Sequence, residues 1–164
     1  MRIVFRRRSR ARHTTNHSRR CPLRITRAAA VVYTILAAGV AGFQIAMAAG
    51  APWGELAMGG AVHGQFPPSL RAAALTQATL LALTALVVLS RAGLALRSWS
   101  RAAHWLVWVV VALSAVSSAL NLATPSAGER ALWAPVALLT LASSLVVALG
   151  ARSAERRERP RADG

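Results

Sequence analysis

The sequence predicts an all-α protein, a four-transmembrane-helix bundle preceded by a disordered Arg-rich N-terminal tail. Three observations predict it. Hydrophobic residues make up 55% of the 164 residues and charged residues only 15%, where roughly a quarter of a soluble protein is charged. The charges are clustered, so four uncharged apolar runs remain between them. The basic residues, which are all arginine, crowd into two tails and one short connection.

Residues 1–27 form a basic tail with ten arginines and no apolar periodicity. Such a segment buries too little apolar surface to fold alone and is expected to stay disordered until it meets a surface. The bundle is expected over residues 28–150, with helices at about 28–49, 72–90, 102–123 and 131–150. Each run is about 19–22 residues long, enough at 1.5 Å per residue to span a hydrocarbon core of roughly 30 Å. Lipid offers backbone amides no partner, so runs of this length must be helical despite their Val and Ile content. Residues 151–164 form a second polar tail.

Turn residues fill the gaps. Gly50, Pro52, Gly54, Gly59, Gly60, Gly64, Pro67 and Pro68 punctuate the first connection, Gly93 the second, and Pro125 and Gly128 the third. Gly150 is expected to end the last helix, and Pro135 to fall in that helix's first turn.

Arginine also sets the expected orientation. The two tails and the second connection (Arg91, Arg97, Arg101) hold 18 of the 20 arginines, and Arg71 and Arg130 are the other two. The positive-inside rule then places both termini in the cytoplasm of a bacterial cell, with the chain in its inner membrane. Trp99, Trp105 and Trp108 fall near the inner interface and Trp53 and Trp133 near the outer one, as an aromatic belt requires. His104 is read as interfacial, having no acidic partner in the helices. Ser18-Arg19-Arg20-Cys21-Pro22-Leu23-Arg24 loosely resembles a twin-arginine export signal, and Ala46-Met47-Ala48 a cleavage site. Pro22 departs from that pattern and the apolar run exceeds a signal core, so helix one is read as retained.

Polar residues within the runs recur at helical spacing. Helix three carries Ser114, Ser117, Ser118 and Asn121, helix four Thr140, Ser143 and Ser144, helix one Thr34 and Gln44, and helix two Gln77 and Thr84. One reading is packing through small residues and interhelical hydrogen bonds. The sharper one uses depth: Gln44, Gln77, Ser114, Ser117, Ser118 and Asn121 all fall in the outer half, where they form a candidate polar cluster open to the outside. The first connection adds Glu55 and His63 as candidate contacts, with a structural lid as the alternative role for that loop.

Gly50-Ala51-Pro52-Trp53-Gly54-Glu55, followed by Gly59-Gly60 and Pro67-Pro68-Ser69-Leu70-Arg71, resembles the outer loop of a group of small four-helix bacterial integral membrane proteins of unassigned function. The resemblance implies a membrane location and a shared loop structure. It supplies no mechanism, and the long Arg tail is additional to the pattern.

Several function classes are excluded or disfavoured. One cysteine, Cys21, allows no internal disulfide and no paired-thiol redox chemistry. No Cys/His cluster has metal-ligand spacing, and no cofactor is expected: His63 and His104 fall at opposite ends of the helices, unable to bind one haem. No nucleophile–base pair or carboxylate pair occurs, so no enzymatic role is expected. All five acids (Glu55, Glu129, Glu155, Glu158, Asp163) lie outside the apolar runs, which argues against proton-coupled export. The Arg tail is expected to contact anionic lipid headgroups, each Arg gaining about 1 kcal/mol beside them. Nucleic acid is the poorer partner, because Phe5 is the tail's only aromatic and no binding motif surrounds it. The expected function is a non-catalytic bundle packing with itself or with a membrane partner. The alternative is an oligomeric facilitative transporter or channel subunit for a small neutral solute.

Overall fold

A computed structural model describes residues 17–96 and 100–158, with side chains over 23–96 and 102–150. Four helices follow one another: α1 (His17–Ala48), α2 (Pro68–Arg91), α3 (Ser100–Ala123) and α4 (Ala127–Glu158). Two short 3₁₀ turns, Gly54–Leu56 and Met58–Gly60, lie in the long first connection. All four helices contain apolar stretches long enough to cross a membrane. Only 22–33% of the residues in those stretches are buried within the bundle. Ile35, Leu80, Val109, Leu120 and Leu139 point outward, as helices do when lipid rather than water covers them.

The helices outrun the apolar runs that predict them. α1 begins at His17 rather than near residue 28, so residues 17–27 of the expected disordered tail are helical, while residues 1–16 lie outside the described region. α4 continues through Glu158, past the expected end at residue 150. The reason is cooperative propagation: once the lipid-facing turns are nucleated, arginine and alanine extend a helix cheaply. Gly150 does not end α4. It packs against α1, and a Cβ at this position would collide with Thr26 Oγ1. Pro135 sits in the interior of α4, not its first turn, because the helix starts earlier than expected.

The ends are closed by recognisable local chemistry. After α1, Gly50 has φ 101°, and Ala51 N–H donates to Ala46 O at 2.9 Å. After α2, Gly93 has φ 69°, and Leu94 N–H donates to Leu89 O at 2.9 Å. Both are Schellman closures, which need the left-handed conformation that glycine adopts freely. α2 starts on Pro68, whose missing N–H costs nothing in a first turn. α4 starts after Ser126, whose Oγ accepts the Glu129 N–H at 3.3 Å.

The core is divided in two. Towards the chain termini, Tyr33, Ala37, Val88, Val107, Val110 and Val147 bring all four helices onto one buried cluster. Towards the two loop-bearing connections, Met47, Phe66 and Ala74 form a second cluster that joins only α1, the first connection and α2. There α3 and α4 contribute nothing to the cluster, and Trp133 of α4 reaches across to α1 and the first connection. Trp133 meets Phe43 edge-on with centroids 4.7 Å apart, and its Nε1–H donates to Leu56 O at 2.8 Å. Trp133 is therefore a strut between loop and bundle rather than a plain belt residue. Trp105, 74% exposed, has the exposure a belt residue needs; the Trp99 side chain lies outside the described region.

Candidate functional site

The separation of α2 from α3 leaves a groove of about 490 Å³ in the loop-end half of the bundle. Val40, Phe43 and Gln44 of α1 form its back wall, and Leu70, Ala74 and Gln77 of α2 one side. Leu113, Val116, Ser117, Leu120 and Asn121 of α3 form the other side, and Glu129, Trp133 and Ala137 of α4 close the remainder. Leu56, Ala57, Met58 and Phe66 of the first connection make the lip. A second hollow of about 360 Å³ shares Leu120, Asn121 and Glu129 with it and reaches Gly59, Thr124 and Pro125.

Four of the six residues of the sequence-derived polar cluster meet here: Gln44, Gln77, Ser117 and Asn121. Ser114 and Ser118 do not. Both are buried, and Ser118 Oγ donates to Ser114 O at 2.8 Å within α3. The stripe splits because adjacent residues on an α-helix lie about 100° apart, so Ser117 and Ser118 point in different directions. Ser117 and Asn121 form their own pair, with Asn121 Nδ2 donating to Ser117 O at 2.8 Å.

Hydroxyls and amides behave differently in this setting. Thr34, Thr76, Thr79, Thr84, Thr140 and Ser144 each donate to a carbonyl three or four residues back in their own helix. Such bonds need no neighbour. A glutamine amide carries two donors and an acceptor and is too long to satisfy itself that way. Gln44 and Gln77 line the groove, and neither amide has a hydrogen-bond partner among the described residues. Gln77 is nine residues into α2, about 13 Å from its start. An amide at that depth is stable only if water or a polar ligand reaches it.

Glu55 and His63 are both exposed, and neither lines the groove. Among the described residues no group of three or more His, Cys, Asp or Glu side chains converges on a metal position. The carboxylate at the groove belongs to Glu129, which sequence reading counted only as an acid outside the apolar runs. Its Oε2 accepts from Thr124 Oγ1 at 3.0 Å, and Arg130 Nη1 donates to Thr124 O at 2.9 Å. The signal that could have found it is Ser126-Ala127-Gly128-Glu129, a capping-box pattern that starts the helix early and places Glu129 in its first turn.

The lip is a loop closed by its own hydrogen bonds. Gly54 is buried, and its N–H donates to Gly64 O at 3.0 Å, closing the loop on itself. Arg71 lies over Gly50, with Nε donating to Phe66 O at 2.8 Å and Nη2 to Gln65 Oε1 at 3.3 Å. Phe43 stacks on Trp53 at 5.9 Å. Gly59 and Gly60 pass over Pro125 and Ser126, which brings the first connection against the third.

Comparison with family models, curated proteins and solved structures finds no match to this chain.

Proposed function

We propose that this protein is a non-catalytic, multi-pass component of a bacterial inner membrane that binds a ligand or membrane partner through the groove between α2 and α3. Its termini are cytoplasmic and its loop end outside, as the arginine distribution requires. Kinship with the four-helix group that shares the Gly-Ala-Pro-Trp-Gly-Glu loop belongs to the same proposal. The basic start of α1, with Arg24 and Arg27 exposed, suits contact with anionic headgroups of the inner leaflet.

The observation that carries this reading is the pair of groove amides, Gln44 and Gln77, which have no protein partner among the described residues. Glutamines that serve packing would bond across helices. Glutamines that serve a ligand are left open and cost stability, the usual trade at a binding site. The alternative, a facilitative transporter or channel subunit, needs a path through the opposite half. There all four helices meet on Tyr33, Val88, Val107, Val110 and Val147, which makes the groove a dead end within one chain.

The test is the double variant Gln44→Leu/Gln77→Leu. It is expected to leave stability in detergent unchanged or raised, because neither amide bonds a neighbouring helix. Loss of stability would mean that the amides hold helices together and that the groove is not a binding site.

A further inference from the structure

The groove opens sideways. Leu113, Val116 and Leu120 line it on α3 and are 54%, 58% and 67% exposed. Facing them, Gln77 of α2 is exposed as well. These residues lie inside the apolar windows of their helices, so the mouth meets acyl chains and not water alone.

Polar groups stand at two levels of the groove, the Gln77 amide opposite Leu113 and Val116 and the lining carboxylate, Glu129, at the loop end. Asn121 and Glu129 lie near the loop ends of α3 and α4, at the level of the membrane surface. Leu113 and Val116 lie one to two turns deeper on α3. At the surface end acceptors prevail. The Asn121 amide nitrogen is occupied by Ser117, which leaves Oδ1 to accept. Glu129 uses Oε2 for Thr124, which leaves Oε1. Arg130, bonded to Thr124 O, lines neither hollow, so the charge presented to an occupant is that of the Glu129 carboxylate.

Resting on the groove reading above, we infer that this site takes a single-chain amphiphile with an ammonium head, entering laterally between α2 and α3. The chain lies along Leu113, Val116 and Leu120 of α3, leaving the Gln77 amide across the groove to water, and the head stops at Asn121 Oδ1 and Glu129. An ammonium brings three donors and a positive charge to a site of free acceptors and one carboxylate. An anionic head would meet like charge, and a hydroxyl head would bring one donor and no opposite charge to the carboxylate. The volume of about 490 Å³ falls in the range of single-ligand clefts.

The experiment uses the full chain in phosphatidylcholine nanodiscs, carrying Cys21→Ser and Gln77→Cys, with a neutral water-soluble maleimide as reagent. Labelling without amphiphile reports the groove itself. Dodecylammonium is expected to slow labelling about tenfold or more, the worth of one charge-assisted bond. Dodecanol and butylammonium are expected to leave the rate within about twofold, lacking charge and chain respectively. Adding Glu129→Gln, which keeps an acceptor for Thr124, is expected to abolish the dodecylammonium effect while the unprotected rate stays the same. Equal slowing by dodecanol, or protection that survives Glu129→Gln, overturns the ammonium assignment. Equal slowing by butylammonium overturns the amphiphile in favour of a small cation. Failure of the thiol to react under any condition overturns the groove reading, and this inference with it.

Discussion

Replacing Gly54 by alanine adds one methyl group at the point where the first connection closes on itself. The new Cβ would stand 2.5 Å from Val62 O, 2.8 Å from Gly64 O and 3.1 Å from Val62 Cγ1. The first two are backbone atoms, so no rotamer change can make room. Relief requires moving residues 62–64 away, which breaks the 3.0 Å bond from Gly54 N–H to Gly64 O. Overpacking costs about 1–3 kcal/mol and the lost bond about 1, so the loop is destabilised by about 2–4 kcal/mol. The matched control is Gly128→Ala, the same added methyl with nothing within 4 Å of it. In the first turn of α4 that change is expected to be neutral or to stabilise by up to about 1 kcal/mol. Unfolding in mixed micelles by titrated dodecyl sulfate, followed by tryptophan fluorescence and far-ultraviolet circular dichroism, compares the two. Trp53 beside Gly54 and Trp133 bonded to Leu56 make fluorescence report on the lip. Coincident midpoints for Gly54→Ala and Gly128→Ala would refute the closed-loop geometry.

Three further outcomes follow from contacts elsewhere. Gly150→Ala drives a methyl into Thr26 and is expected to cost about 1–3 kcal/mol, with Thr26→Ala restoring at least half; strict additivity of the two changes would contradict close approach of α1 and α4. Trp133→Phe keeps a ring against Phe43 but orphans Leu56 O at a cost of about 1–3 kcal/mol, so a thiol placed by Gln44→Cys should label faster; an unchanged rate would remove the strut role. Arg71→Lys keeps the charge but loses the paired bonds to Phe66 O and Gln65 Oε1, and should speed proteolysis of the first connection without altering orientation; equal proteolysis would show that the loop closes without them.

Helix number and order were legible because lipid immersion writes itself into composition: uncharged runs of the right length have no other solution. Helix ends were not legible from hydropathy. α1 and α4 continue into arginine-rich sequence because helix propagation asks only for compatible side chains, not apolar ones. The first connection was recognisable as a compact turn from its glycines and prolines, but not the reason Gly54 must be glycine, which depends on carbonyls eight and ten residues later. The candidate site was half visible. Helical spacing grouped Ser114, Ser117, Ser118 and Asn121 on one stripe, yet a stripe about 100° wide can straddle an edge. Here Ser117 and Asn121 face the groove while Ser114 and Ser118 face the core. Glu129 was passed over because it lies outside the apolar run, although Ser126 three residues earlier marks it as part of α4.

The proposed function depends on the groove in the loop-end half of the bundle, and two neighbouring serines test it most directly. Intact cells expressing Ser117→Cys or Ser118→Cys would be treated with a membrane-impermeant maleimide, with the unaltered chain, whose one cysteine is Cys21, as the inside reference. Ser117→Cys is expected to label, Ser118→Cys to stay protected, and Cys21 to label only after the cells are permeabilised. Equal reactivity of the two serine variants, or labelling of Cys21 in intact cells, would contradict the proposal.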